Sequence, residues 1–267
     1  MINQLLKIPT YFSQLVEVIP LHVKGNQFIR DNRLWEGLFR LKWVLWLSIG
    51  IGLIISSMFI STFSAWVTEM FFGEFHGSTM LAGASLFSSI EFFGERFFFD
   101  GSLKYLILIF VEVIIFHCTI NTINILSGDN HKPQFVDFIN AQKRMIKVSI
   151  LAWIFELIAG ILVTVFLSIF GFGFLKKFVL LFIEFYFIGH LFLDNYNEQY
   201  GLSIKESFFT IRDHAGAAIG VGFIAYVLFL IPIVGLIAAP ILGAVTGAMY
   251  MYAHKVNTDL DRQYELV

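Results

Sequence analysis

The sequence predicts an all-α, polytopic integral membrane protein with two long transmembrane helices and two helical hairpins, whose depth is left open between partial and full penetration. Three observations carry that expectation. Of 267 residues, 57% are hydrophobic and 14% charged, with a mean hydropathy of +0.76, whereas a soluble domain carries about 25% charged residues. Apolar runs near the length of a bilayer crossing recur along the chain; a helix rising about 1.5 Å per residue needs roughly 20 residues to cross about 30 Å of hydrocarbon. The 18 Lys and Arg residues gather on alternate connections between those runs, the pattern expected of a multi-pass chain. Residues 1–267 are expected to form a single membrane domain.

Composition also excludes classes of function. A formal net charge of −2 offers no basic footprint for nucleic acid. The single cysteine, Cys118, lies in an apolar run, which excludes an intrachain disulfide and a four-thiolate metal site. No HExxH, GxSxG, P-loop or CxxC motif is present, so neither an enzyme nor a cofactor is expected. The first 42 residues contain no apolar h-region after Lys7, so insertion is expected to use the internal spans.

Taken in order, residues 1–42 read as a cytoplasmic basic and interfacial segment. Within it Phe12, Leu15, Val16 and Ile19 recur at helical spacing, and Pro20 is expected to interrupt the pattern. Arg30, Arg33, Arg40 and Lys42 lead into a first span at 43–63, where Trp35, Trp43 and Trp46 fit a headgroup-level aromatic belt. Residues 64–102 are rich in Gly, Ser and acidic groups, and 80–99 is expected to lie on the membrane. The second span covers 103–126. A basic loop, SGDNHKPQFVDFINAQKRMIK, follows it.

The first hairpin is placed at 148–193, with apolar runs at 148–170 and 178–193 reversed where Gly171 and Gly173 stand. The second covers 215–254, with arms of about 17 and 20 residues by the same length rule. Its hinge is assigned to Pro232, Gly235 and Pro240, because a proline disfavours helix at Ile231 and Ala239 before it. Small residues four apart, Gly216 with Gly220, Gly243 with Gly247 and Ala244 with Ala248, allow close helix packing. Counting Lys and Arg by connection gives fourteen on one side against four on the other. Both termini are therefore expected in the cytoplasm.

Ionisable groups within apolar runs are functional candidates because a charge in hydrocarbon costs at least about 2.5 kcal/mol. Glu112, His117, Glu156, Glu184 and His190 qualify. His117, Asn121 and Asn124 share one helical stripe, from which Glu112 is rotated by about 140°. That stripe either lines an aqueous or anion path or fixes helices by hydrogen bonds. Glu156 and Glu184 lie mid-arm in the first hairpin, where a Lys or Arg from another helix is the expected partner, or a proton on one of them. His190, Asp194 and Asn197 form a second stripe, read as the exit of a helix into the headgroups. One His and one carboxylate there are too few to hold a metal.

The order Leu193, Asp194, Asn195, Tyr196, a short polar helix with Arg212 and His214, a glycine-bearing apolar run, Ile231-Pro232, Pro240 and a Gly-Ala-Val-Thr-Gly-Ala tail resembles the CysZ-like sulfate permeases. That family also includes the eukaryotic etoposide-induced 2.4 membrane proteins. The likeness is good over 190–252 and looser over 28–190, and the ordered set carries it. Arg33, Gly37, Leu38 and Arg40 stand where the family has a Gly-Leu-Arg sequence associated with sulfate binding. This chain reads Gly37-Leu38-Phe39-Arg40, with the Arg one residue later and Glu36 beside it. Arginine suits an oxyanion through two parallel hydrogen bonds, although such charges also serve as plain cytoplasmic anchors.

The resemblance implies an oligomeric inner-membrane permease for sulfate or a related small oxyanion. It would feed cysteine biosynthesis by passive or proton-coupled uptake, with membrane lipid and copies of itself as partners. The alternative is a non-transporting membrane scaffold or lipid-associated protein of the same fold.

Overall fold

The computed structural model describes residues 8–36, 103–129, 133–231 and 234–265. The expectations placed on 43–63 and 64–102, and on Gly37, Leu38, Arg40 and Pro232, lie outside the described residues. Among those described, the fold is all-helical, with seven α-helices and no strand. These are α1 (Ile8–Asp31), α2 (Leu103–Ser127), α3 (Phe135–Ile169), α4 (Lys176–Gln199), α5 (Ile204–Asp213), α6 (Ala215–Phe229) and α7 (Val234–Glu265). Four segments are long and apolar enough to cross a membrane: Lys104–Ser127, Phe135–Ile169, Gly173–Gln199 and Val234–Lys255. Helices α5 and α6 form a pair bent by 93°.

Helix α4 is the axis of the bundle, packed against α2, α3, α5, α6 and α7. Its buried stretch runs from Glu184 to Asn197 with only Tyr186 partly open. Close approach of α4 and α6 depends on two glycines: a Cβ on Gly189 would strike the Ala218 carbonyl, and one on Gly222 would strike the Phe185 carbonyl. Gly216 likewise presses on the Tyr11 carbonyl of α1, while Gly243 and Gly247 of α7 face Phe192 and Leu193 of α4. Small residues let these backbones meet, and the side chains around them interdigitate at close range.

Several boundaries differ from the sequence expectation. The basic loop after α2 is helical from Phe135 onward, because the Gln134 N–H is capped by the Asp137 carboxylate at 2.8 Å and Pro133 precedes the cap, where a helix cannot easily extend backwards. The first hairpin therefore spans α3, a 3-10 turn at Gly173–Leu175 and α4, rather than 148–193. Its reversal uses Gly171, whose φ of 74° is the left-handed region open to glycine.

Pro240 does not interrupt the last arm, since α7 runs through it, and Pro20 does not break α1. An internal proline forfeits one ladder hydrogen bond. Around Pro240 that loss is offset by burial of Leu236, Ala239, Ile241 and Ala244 on both sides of it. The expected interruption at Ile231 is present: α6 ends at Phe229 and Ile231 lies outside the helix.

Helix α1 does more than lie at an interface. One face, Gln14, Val18, His22, Gly25 and Ile29, is buried against α6 and α7. The Gln14 amide clasps the α5–α6 corner, donating to the Asp213 carbonyl at 2.9 Å and accepting from the Gly216 N–H at 3.1 Å. That second bond satisfies one of the donors a helix start leaves open. Burial holds the His22 imidazole below the usual histidine range.

Candidate functional site

The candidate site is a polar column on α4, built where the sequence places Glu184, His190, Asp194, Asn195 and Asn197 on the faces turned into the bundle. Between Glu184 and Asn195 the helix climbs about 16 Å, roughly half of a hydrocarbon core. Three clusters attach to it.

In the first cluster, Lys104 of α2 reaches between two carboxylates. Its Nζ lies 2.5 Å from Glu156 Oε1 of α3 and 3.1 Å from Glu184 Oε1. The Tyr105 hydroxyl donates to Glu156 Oε2 at 2.5 Å. Lys104 and Glu184 are 2% and 1% exposed and Glu156 18%, so two of the three charges are shut away from solvent. Among the described residues Glu184 Oε2 is buried without a hydrogen-bond partner.

Farther along α4, Asn195 Nδ2 stands 3.1 Å from both carboxyl oxygens of the fully buried Glu112. The Asn195 Oδ1 and the Nδ1 of His190 are buried without a hydrogen-bond partner among the described residues. The third cluster fastens α3 to the end of α4. Arg144 grips Asp194 through Nε at 3.0 Å and Nη2 at 2.7 Å, gives Nη1 to the Leu202 carbonyl at 2.5 Å, and lies 3.9 Å from Glu198. Such a fork is the guanidinium's preferred geometry, which a lysine cannot reproduce. Asn197 donates to the Ser207 hydroxyl of α5 at 3.0 Å.

The structure brings some predicted residues together and separates others. Glu156 and Glu184 converge on Lys104. Glu112 faces α4, whereas His117 and Asn121 are half-buried and bonded to each other at 2.9 Å, with Asn124 half-buried one turn on. Asp194 and Asn197, with His190, do not leave the bundle for the headgroups: they are 3%, 4% and 2% exposed for His190, Asp194 and Asn197. The charged member is satisfied by Arg144, which the sequence places fifty residues away. Arg33 is exposed, in the left-handed region at φ 49°, and pairs with Glu36 at 3.3 Å. Gly235 packs a bare backbone against the Leu228 carbonyl at the start of α7.

Sequence reasoning missed Lys104 and Arg144 by counting both as flanking charges. The available signal was the pair of mid-arm carboxylates, which need a cation inside an apolar chain. Removing these two from the flank count leaves thirteen basic residues against three, and the inferred orientation keeps its sign.

Among the described residues no group of three or more His, Cys, Asp and Glu side chains is placed to hold a metal ion. Chemically, the column offers charge pairing and hydrogen bonding. No protein-family model matches the chain, and no curated protein matches it.

Proposed function

We propose that this chain is an inner-membrane permease for sulfate or a related small oxyanion, similar to the CysZ-like proteins that feed cysteine biosynthesis. The supporting observation is the column of buried polar groups on α4, from Glu184 to Asn197, inside a bundle whose α3 surface is apolar. Ionisable groups at membrane depth are costly, and they concentrate where solutes or protons move. In this reading both termini are cytoplasmic, and the protein works as a homo-oligomer in lipid without hydrolysing ATP.

Two long helices span fully. The hairpins accompany them: in the second, α6, at 15 residues, reaches only about 22 Å, while the Val234–Lys255 arm is long and apolar enough to cross. Arg33 and Arg40, with the backbone at Gly37 and Leu38, take the dianion at the cytoplasmic face. The stripe of His117, Asn121 and Asn124 and the column containing Glu112, Glu156 and Glu184 border the path, while the turn around Pro232, Gly235 and Pro240 lets the second hairpin shift.

A second reading, a non-transporting scaffold or lipid-associated protein, has its own support. Among the described residues, the two cations drawn into the bundle, Lys104 and Arg144, are already engaged by carboxylates, which leaves the dianion to surface cations such as Arg33.

The deciding experiment is radiolabelled sulfate uptake into proteoliposomes, beside empty vesicles and an Arg33→Ala, Arg40→Ala double variant. Uptake above empty vesicles that disappears in the variant is the expected result. Absence of uptake by folded, incorporated protein would replace the permease by the scaffold.

A further inference from the structure

The Lys104 cluster contains one cation and two carboxyl groups in a place almost closed to water. With both carboxyls ionised, the cluster would hold one uncompensated negative charge, and an unpaired buried charge is among the most expensive features a fold can carry. Neutralising Lys104 would worsen the imbalance. The balance is restored by one further positive charge, and the hydrogen bonds say where it belongs.

Three of the four carboxyl oxygens already accept from donors: Glu156 Oε1 and Glu184 Oε1 from the Lys104 ammonium, and Glu156 Oε2 from the Tyr105 hydroxyl. Only Glu184 Oε2 has no donor among the described residues. A hard metal cation gathers about six oxygens, which one open carboxyl oxygen cannot supply. A proton needs only that one.

We propose that Glu184, held with Glu156, Lys104 and Tyr105, is a proton-binding site inside the membrane bundle, and that it exchanges its proton by way of Glu156. Glu156 is the member with access, 18% exposed where Glu184 is 1% exposed. Among the described residues, the titratable or charged groups facing Glu184 are Lys104 and Tyr105 from α2, Glu156 from α3 and Tyr226 from α6. Because Glu156 is the attachment of the middle of α3 to this cluster, movement of the proton alters the charge that clasps α3 to α2 and α4. The site concerns protons rather than the anion and stands independently of the permease reading.

The test is infrared difference spectroscopy of the full chain in lipid nanodiscs, wild type against Glu184→Gln. Glutamine keeps the size and neutrality of a protonated glutamic acid, so this variant is expected to fold with an unfolding midpoint close to wild type. It is also expected to lose one protonated-carboxyl C=O band. The same band should remain in Glu112→Gln, the control for the other fully buried carboxyl. Glu156→Gln, which removes the carboxylate paired with Lys104, should lower the unfolding midpoint. An unchanged C=O region in Glu184→Gln would overturn the proposal, as would failure of that variant to fold. Disappearance of the wild-type band on adding sodium or potassium at constant pH would also overturn it, by identifying a metal cation as the compensating charge.

Discussion

Helices α3 and α6 both belong to helical hairpins, yet they join the bundle by opposite means. In α3 only 11% of its most apolar 18-residue stretch is buried, and Leu157, Ile161 and Leu162 are exposed. Its hold on the protein is polar: Glu156 to Lys104 and Tyr105, Arg144 to Asp194 and the Leu202 carbonyl, and Gln142 to the Ile109 carbonyl at 2.9 Å. In α6 the hold is steric, with Gly216 against the backbone of α1 and Ala218 and Gly222 against that of α4. The difference follows from the solvent. Lipid tails are as apolar as leucine, so an apolar helix gains little by exchanging lipid for protein, and attachment requires polar bonds or unusually tight contact.

The largest expected effect comes from breaking the polar clasp. Arg144→Ala should cost about 3–5 kcal/mol, because it leaves the nearly buried Asp194 carboxylate without its cation. Reversible unfolding in mixed micelles checks this, and Asp194→Asn in the same background should recover part of the loss. A cost below about 1 kcal/mol, the scale of an exposed pair, would mean that water reaches the cluster.

Gly189→Val tests the steric junction and should cost about 1–3 kcal/mol or more, since its Cβ is directed at the Ala218 carbonyl and backbone cannot yield as a side chain can. Crosslinking between cysteines introduced on α4 and α6 would report the separation. The smallest effect is expected from Ile161→Ala on the exposed face of α3, within about 0.5 kcal/mol in lipid. A clear loss there would reveal a protein partner on that face in place of lipid, and a drop in oligomer size on native mass spectrometry would identify it as a second copy.

Much of this contrast could be read in the sequence, though not all of it. The glycines and alanines four apart in 216–248 marked close packing: Gly216 and Gly220 meet α1 and Gly243 and Gly247 meet α4, whereas α6 meets α4 through Ala218 and Gly222, outside that set. Glu156 and Glu184 were identifiable as charges needing a partner, because hydrocarbon penalises them wherever they sit. The partner was not identifiable. Lys104 lies 52 residues from Glu156 and 80 from Glu184, and no periodicity spans such separations. Arg144 was assigned to a loop for a local reason: its neighbours Gln142, Lys143 and Lys147 are polar, and helical spacing is hard to see beneath them.

By itself the sequence determined the helical class and the apolar character of the chain. Its apolar content and run lengths favour helices, because a backbone among apolar surroundings must satisfy its own hydrogen bonds, and four of the described helices are long and apolar enough to cross a membrane. The tertiary structure alone decided which charges meet. Whether Pro20 and Pro240 end a helix or ride within one was also settled by the faces packed around them, since one missing ladder bond is a local cost that distant contacts outweigh. So too was the fate of Asp194, a residue at the end of an apolar run that becomes buried because α3 brings Arg144 across to neutralise it.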